Sequence, residues 1–128
     1  MEDYILFVCR GNSGRSQMAE GFYNSYAGKS GATSAGIEPD KKIHPWTVQL
    51  MKEAGIDVSL KKPKKLTHEL MEKTNKIILL DPELLSYIPE KYLTKLDVWE
   101  IKGLLGKSIE QVREIREEIS SKIKQILK

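Results

Sequence analysis

Short apolar runs that alternate with helix-patterned stretches predict an α/β fold: a three-layer sandwich in which a four-stranded parallel sheet carries helices on both faces. Tyr4-Ile5-Leu6-Phe7-Val8 and Lys76 to Leu80 are apolar, β-branched or aromatic runs too short for helices, as in strands buried on both sides. Helical patterns, not hairpin turns, separate them, as parallel pairing requires.

Tyr4 to Val8 is the first strand. Ser16 to Ala27 then reads as a helix, with Met18, Ala19, Phe22, Tyr23 and Tyr26 on one face and Gly28 at its stop. Ala32 to Ala35 is a short strand. Pro45 opens a second helix that turns Val48, Met51 and Ala54 inward and ends at Gly55. Thr67 caps a helical turn through Met71, Lys76 to Leu80 is the third strand, and Asp81-Pro82 opens a brief helix. Leu96 to Trp99 is the fourth strand. Ser108 and Gln111 form a capping box for the last helix, where Ile109, Val112, Ile115, Ile119, Ile123 and Ile126 follow helical spacing.

The 128 residues suit one domain, 1–128. Apolar residues make up 40% and charged residues 30%, a globular balance. Apolar runs such as Tyr4 to Cys9 and Ile77 to Leu80 are far too short to span a membrane, so no membrane span is expected, and the start of the chain lacks a secretory pattern, so a cytoplasmic location is. A net charge of +3 does not argue for nucleic acid. One cysteine and two histidines argue against a disulfide framework and a metal centre, and no cofactor is expected.

Ligands of such folds sit beyond the carboxyl ends of strands, which directs attention to Cys9-Arg10-Gly11-Asn12-Ser13-Gly14-Arg15-Ser16. Gly11 and Gly14 let successive N–H groups converge on an oxyanion, and the helix behind adds its positive end. The Arg15 fork matches two oxygens of a tetrahedral anion. The same field favours the thiolate of Cys9, which either Ser13 or Ser16 is placed to hydrogen-bond. An isolated cysteine reads as a small core residue; one between a strand and a glycine-rich loop, with Arg, Ser and a helix behind, reads as a nucleophile.

The run CRGNSGRSQMAE, Cys9 through Glu20, resembles the phosphate-binding loop of the low-molecular-weight protein tyrosine phosphatases and of the arsenate reductases that share their fold. The likeness extends through Ser34-Ala35-Gly36, His44-Pro45, Gly55 to Ser59, Trp99 and Gly106-Lys107-Ser108. The resemblance implies Cys9 as nucleophile, Arg15 as oxyanion clamp and the amides of Arg10, Gly11, Asn12, Ser13 and Gly14 as anion cradle. It implies that Ser16 supports the thiolate, that Asn12 holds a left-handed conformation, and that His44 supports Asn12.

The sequence departs from that pattern in three places. Gly14 stands where a second cysteine usually precedes the arginine, and Leu79 to Glu83 carries no redox cysteine. The general-acid aspartate of the phosphatases falls on Gly103, with Leu104 and Leu105 in place of aromatic residues. Glu100 is the nearest substitute acid; Asp81 reads as a helix cap and Asp97 as a strand residue. Lys61 to Lys65 reads as a solvated basic loop or as a guide for anions.

Three functions fit. The first is a phosphatase that hydrolyses aryl phosphate monoesters through a cysteinyl-phosphate. The second is a single-cysteine arsenate reductase resolved by an external thiol or redoxin. The third is a phosphate-binding module of little catalytic power. The partner is accordingly a phosphorylated substrate or a phosphate or arsenate anion, with no nucleic acid and no membrane.

Overall fold

The computed structural model describes residues 4–128. Its elements run β1 (Ile5–Cys9), α1 (Arg15–Ala27), β2 (Ala32–Gly36), α2 (Pro45–Glu53), α3 (His68–Lys73), β3 (Lys76–Leu79), two 3₁₀ turns (Pro82–Tyr87 and Glu90–Lys95), β4 (Leu96–Val98) and α4 (Ile109–Ile126). The four strands are parallel in the order β2-β1-β3-β4. Register pairs Ile5 with Ala32 on one side and with Lys76 on the other.

All five residues of β1 are buried, and their alternation sorts them between two cores. Ile5, Phe7 and Cys9 join Met18, Phe22, Leu50, Met51 and the α4 residues Val112, Ile119 and Ile123. Leu6 and Val8 face the other way, onto Met71, Leu84, Ile88 and Tyr92. This parity aims the Cys9 side chain at the α1 side of the sheet.

The chain leaves β1 for β2 on one side and returns to β3 on the other, so the carboxyl end of β1 is the point where strand order reverses. The last residue of β1 is Cys9.

The sequence reading needs four adjustments. Ala54 caps α2 and is exposed, so the inward face is Thr47, Leu50 and Met51. Tyr26 lies at a rim, where it stacks on Phe22 and shares a hydrogen bond with Ser120 at 2.7 Å. The fourth strand stops at Val98; such a short, charged edge resists pairing with another chain. The turn at Glu90–Lys95 was not expected; Pro89 starts it and buried Tyr92 anchors it. The expected capping box of α4 is present. Among the described residues, no helix is long and apolar enough to cross a membrane.

Candidate active site

Cys9 through Arg15 curl at the end of β1 and lead into α1, whose N-terminus has no side-chain cap. The loop's shape comes from outside it. The carbonyls of Cys9, Arg10, Gly11 and Ser13 accept the N–H groups of Ile37, Glu38, Asp40 and His44 at 2.9–3.2 Å. All peptides are trans, so each outward carbonyl turns the next N–H to the opposite side of the loop. The amides of Arg10, Gly11, Asn12 and Gly14 are thereby freed for an anion. Strand β2 runs hard against this loop: a Cβ at Gly36 would lie 2.7 Å from the Arg10 carbonyl oxygen.

Asn12 has φ 51°, the left-handed conformation the resemblance implies, and its side chain is fully buried. Its Oδ1 accepts the Lys64 main-chain N–H at 2.9 Å, which fixes the amide's orientation. Its Nδ2 therefore donates, to Ser16 Oγ at 2.7 Å and Ser34 Oγ at 2.9 Å. Ser16, which accepts from Asn12, also shares a hydrogen bond with Cys9 Sγ at 2.9 Å.

Beyond Asn12 the network continues inward. Ser34 donates to Glu20 Oε1 at 2.8 Å. Glu20 is a buried carboxylate, and Lys61 reaches its other oxygen at 3.1 Å with Lys64 at 3.9 Å. The Lys61–Lys65 run thus braces the loop from behind and is absent from the lining of the cleft. Neither Glu20 nor Ser34 was foreseen as part of the site. No periodic signal marks either: Glu20 shares its helix face with Ser16, Gln17 and Asn24, which are polar too.

Arg15 is nearly buried. Its Nη1 donates to the carbonyls of Ile101 at 2.7 Å and Leu80 at 3.2 Å, and Nη2 to Asp81 at 3.4 Å. These bonds hold the guanidinium across the ends of β3 and the segment after β4. Asp81 also caps the first 3₁₀ turn, accepting from Glu83 N–H.

Cys9 and Arg15 line one cleft of about 680 Å³. Cys9 is only 3% exposed, so an incoming group must enter the loop to reach the sulfur. The segment after β4 contributes Leu104, Leu105 and Lys107, and the segment after β2 contributes Glu38, Asp40, His44 and Trp46. At the rim, Arg10 pairs with Glu38 at 2.9 Å, and this bond and charge raise the arginine's pKa.

Three sequence-derived roles look different here. Glu100, the substitute acid, lines a separate groove with Lys102, Glu114 and Glu118, because the chain turns at Ile101 to meet Leu80. Ser13 turns from Cys9 and donates to Asp40. His44 does not reach Asn12 by hydrogen bond: its Nδ1 caps α2 by accepting Trp46 N–H at 3.0 Å, and its main chain holds Ser13. Asp40 lay unnoticed among the polar residues of Glu38 to Lys42.

A family model described as low molecular weight phosphotyrosine protein phosphatase matches residues 4–128. A glutaredoxin arsenate reductase of Synechocystis sp. is 30% identical over 125 residues, covering 96% of this chain and 95% of that one. Arsenate reductase 2 of Staphylococcus saprophyticus is 34% identical, covering 94% and 93%. The crystal structure of a low molecular weight protein tyrosine phosphatase from T. tengcongensis superposes with a TM-score of 0.84 at 28% identity, covering 96% of each chain. With its loop, sheet order and full-length match, the chain belongs to the low molecular weight phosphotyrosine protein phosphatase family.

Proposed function

We propose that the chain is an arsenate reductase that supplies one cysteine and borrows the second thiol. The observation that carries this is the Cys9–Ser16 contact at the floor of the anion cleft. The names of the relatives move the reductase ahead of the aryl phosphatase that the loop alone suggested. In the first step Cys9 sulfur attacks arsenic, an As–O bond breaks, and the departing hydroxide takes a proton to become water. The loop amides, the α1 N-terminus and Arg15 hold the remaining oxygens. An external thiol then attacks the Cys9 sulfur; an S–S bond forms, the S–As bond breaks, and its electron pair leaves with arsenite. A second thiol opens the mixed disulfide and restores Cys9. The sequence has no second cysteine, so both reducing thiols come from outside.

The test is arsenate-dependent oxidation of a small monothiol, a thioredoxin and a glutaredoxin. Two thiols per arsenate, with no turnover in Cys9→Ser, are expected. No arsenate-dependent consumption of any of them overturns the reading.

The lone cysteine also favours a second reading, hydrolysis of an aryl phosphate, because water can resolve a cysteinyl-phosphate without electrons. Hydrolysis of para-nitrophenyl phosphate that is lost in Cys9→Ser, with no arsenate turnover, would establish it instead.

A further inference from the structure

Any attack by Cys9 on a tetrahedral oxyanion expels an oxygen, which leaves far more readily as water or alcohol than as hydroxide or alkoxide. A proton donor is therefore needed at the mouth of the loop. The segment after β4 offers no carboxylate there: Gly103 lies over Arg15, Leu104 packs on Gly14, and Glu100 faces another groove. Asp81 is held by Arg15 and by the cap of its own 3₁₀ turn.

Two carboxylates line the Cys9 cleft, Glu38 and Asp40. Glu38 is committed to the ion pair with Arg10. Asp40 is tied to the loop from both ends. Its main-chain N–H donates to Gly11 O at 2.9 Å, and its carboxylate accepts from the Ser13 hydroxyl. The carboxylate also occupies the space a Cβ at Gly11 would need. A carboxylate seated on the loop that binds the anion moves with that loop and not with a separate lid.

We propose that Asp40 is the general acid and base of this site, with Ser13 as the residue that positions it. The inference rests on Cys9 being the nucleophile, and it holds for arsenic and phosphorus alike. With inorganic phosphate, an S–P bond forms, a P–O bond breaks, and the departing oxygen takes its proton from the Asp40 carboxyl to leave as water. On return, water attacks phosphorus, Asp40 takes its proton, and the P–S bond breaks to restore the thiolate. No electrons are exchanged. The charged or titratable groups around Asp40 in the cleft are Cys9, Arg10, Arg15, Glu38, His44 and Lys107.

The test is loss of ¹⁸O from labelled inorganic phosphate into water, which needs neither a reductant nor a natural substrate. Asp40→Asn should slow exchange at least about 100-fold, the lower end for a positioned acid. Phosphate affinity should stay within about threefold, and Asp40→Glu should recover part of the rate. Ser13→Ala should slow exchange less than Asp40→Asn. Asp40→Asn protein that exchanges within threefold of wild type overturns the assignment of Asp40 alone. Equal loss of phosphate binding and exchange overturns it too, in favour of a structural role. Wild-type protein that binds phosphate without exchanging it, at a rate equal to Cys9→Ser, overturns both the nucleophile and Asp40.

Discussion

Replacing Asn12 measures how much of the loop's shape rests on one side chain. Asn12→Gly keeps the left-handed backbone accessible and removes the amide. Ser16 and Ser34 each lose a donor but keep a second partner, Cys9 and Glu20 respectively. Gln17 keeps the Asn12 carbonyl. Only the Lys64 main-chain N–H is orphaned. Two weakened hydroxyl bonds at about 0.5–1 kcal/mol each and one orphaned donor at about 1–2 kcal/mol give a loss of about 3 kcal/mol. Asn12→Ala adds the cost of a Cβ in the left-handed region, about 1 kcal/mol more. At about 4 °C per kcal/mol for a domain of this length, the melting temperatures should fall by about 12 °C and 16 °C. Urea denaturation and calorimetry read the difference directly. Equal stabilities for the two variants would show that the φ of 51° at Asn12 costs nothing. A loss below 1 kcal/mol in both would show that the amide network does not hold the loop.

Hydrogen bonds from Arg113 and then Arg116 hold Glu53 down at a pKa of about 2 against an ordinary 4.5, so the stability it contributes is full above pH 4.5 and is lost as the pH falls toward 2; Glu53→Gln should therefore cost more at pH 7 than at pH 3 in urea titrations, and an equal cost at both would refute the link. A Cβ at Gly103 would lie 3.5 Å from Arg15 Nη2, an ordinary contact, so Gly103→Asp should fold and place a new carboxylate beside the clamp; in an Asp40→Asn background it should raise phosphate oxygen exchange at least about 10-fold, and a folded double variant with no gain would refute the idea that a proton donor is what the site lacks.

The sheet and the position of the Cys9 loop were legible because they depend on local pattern. Continuous apolar runs marked β1 and β3, a capping box marked α4, and a cysteine between a strand and a glycine-rich turn marked the site. What escaped reading depends on distant contacts. Ala54 seemed to share the apolar face of α2, yet the helix ends one residue before it. Glu20 carries no sign in its neighbours that Ser34, 14 residues on, and Lys61, farther still, will enclose it. His44 takes the Trp46 N–H on its Nδ1 and caps α2, and no hydrogen bond joins it to Asn12, the support that the resemblance implied. Asp40 reaches the loop because its main chain docks on Gly11, a pairing with no periodic signature.

Two of the departures from the family pattern, at Gly14 and at Gly103, meet in one place. A Cβ at Gly14 would stand 3.2 Å from both Leu104 methyl carbons, so a cysteine side chain at position 14 would displace the leucine. Leu104 in turn comes from the segment that passes Arg15 at Gly103, where the family's aspartate is expected. Leucine in that segment packs against the loop where a carboxylate and a second thiol would otherwise meet the substrate. Disulfide formation within the chain and proton delivery from the β4 side are thus removed together. In the proposed reduction the electrons arrive with a partner thiol, and in the proposed acid–base step the proton comes from the segment after β2, whose Asp40 rests on the anion loop.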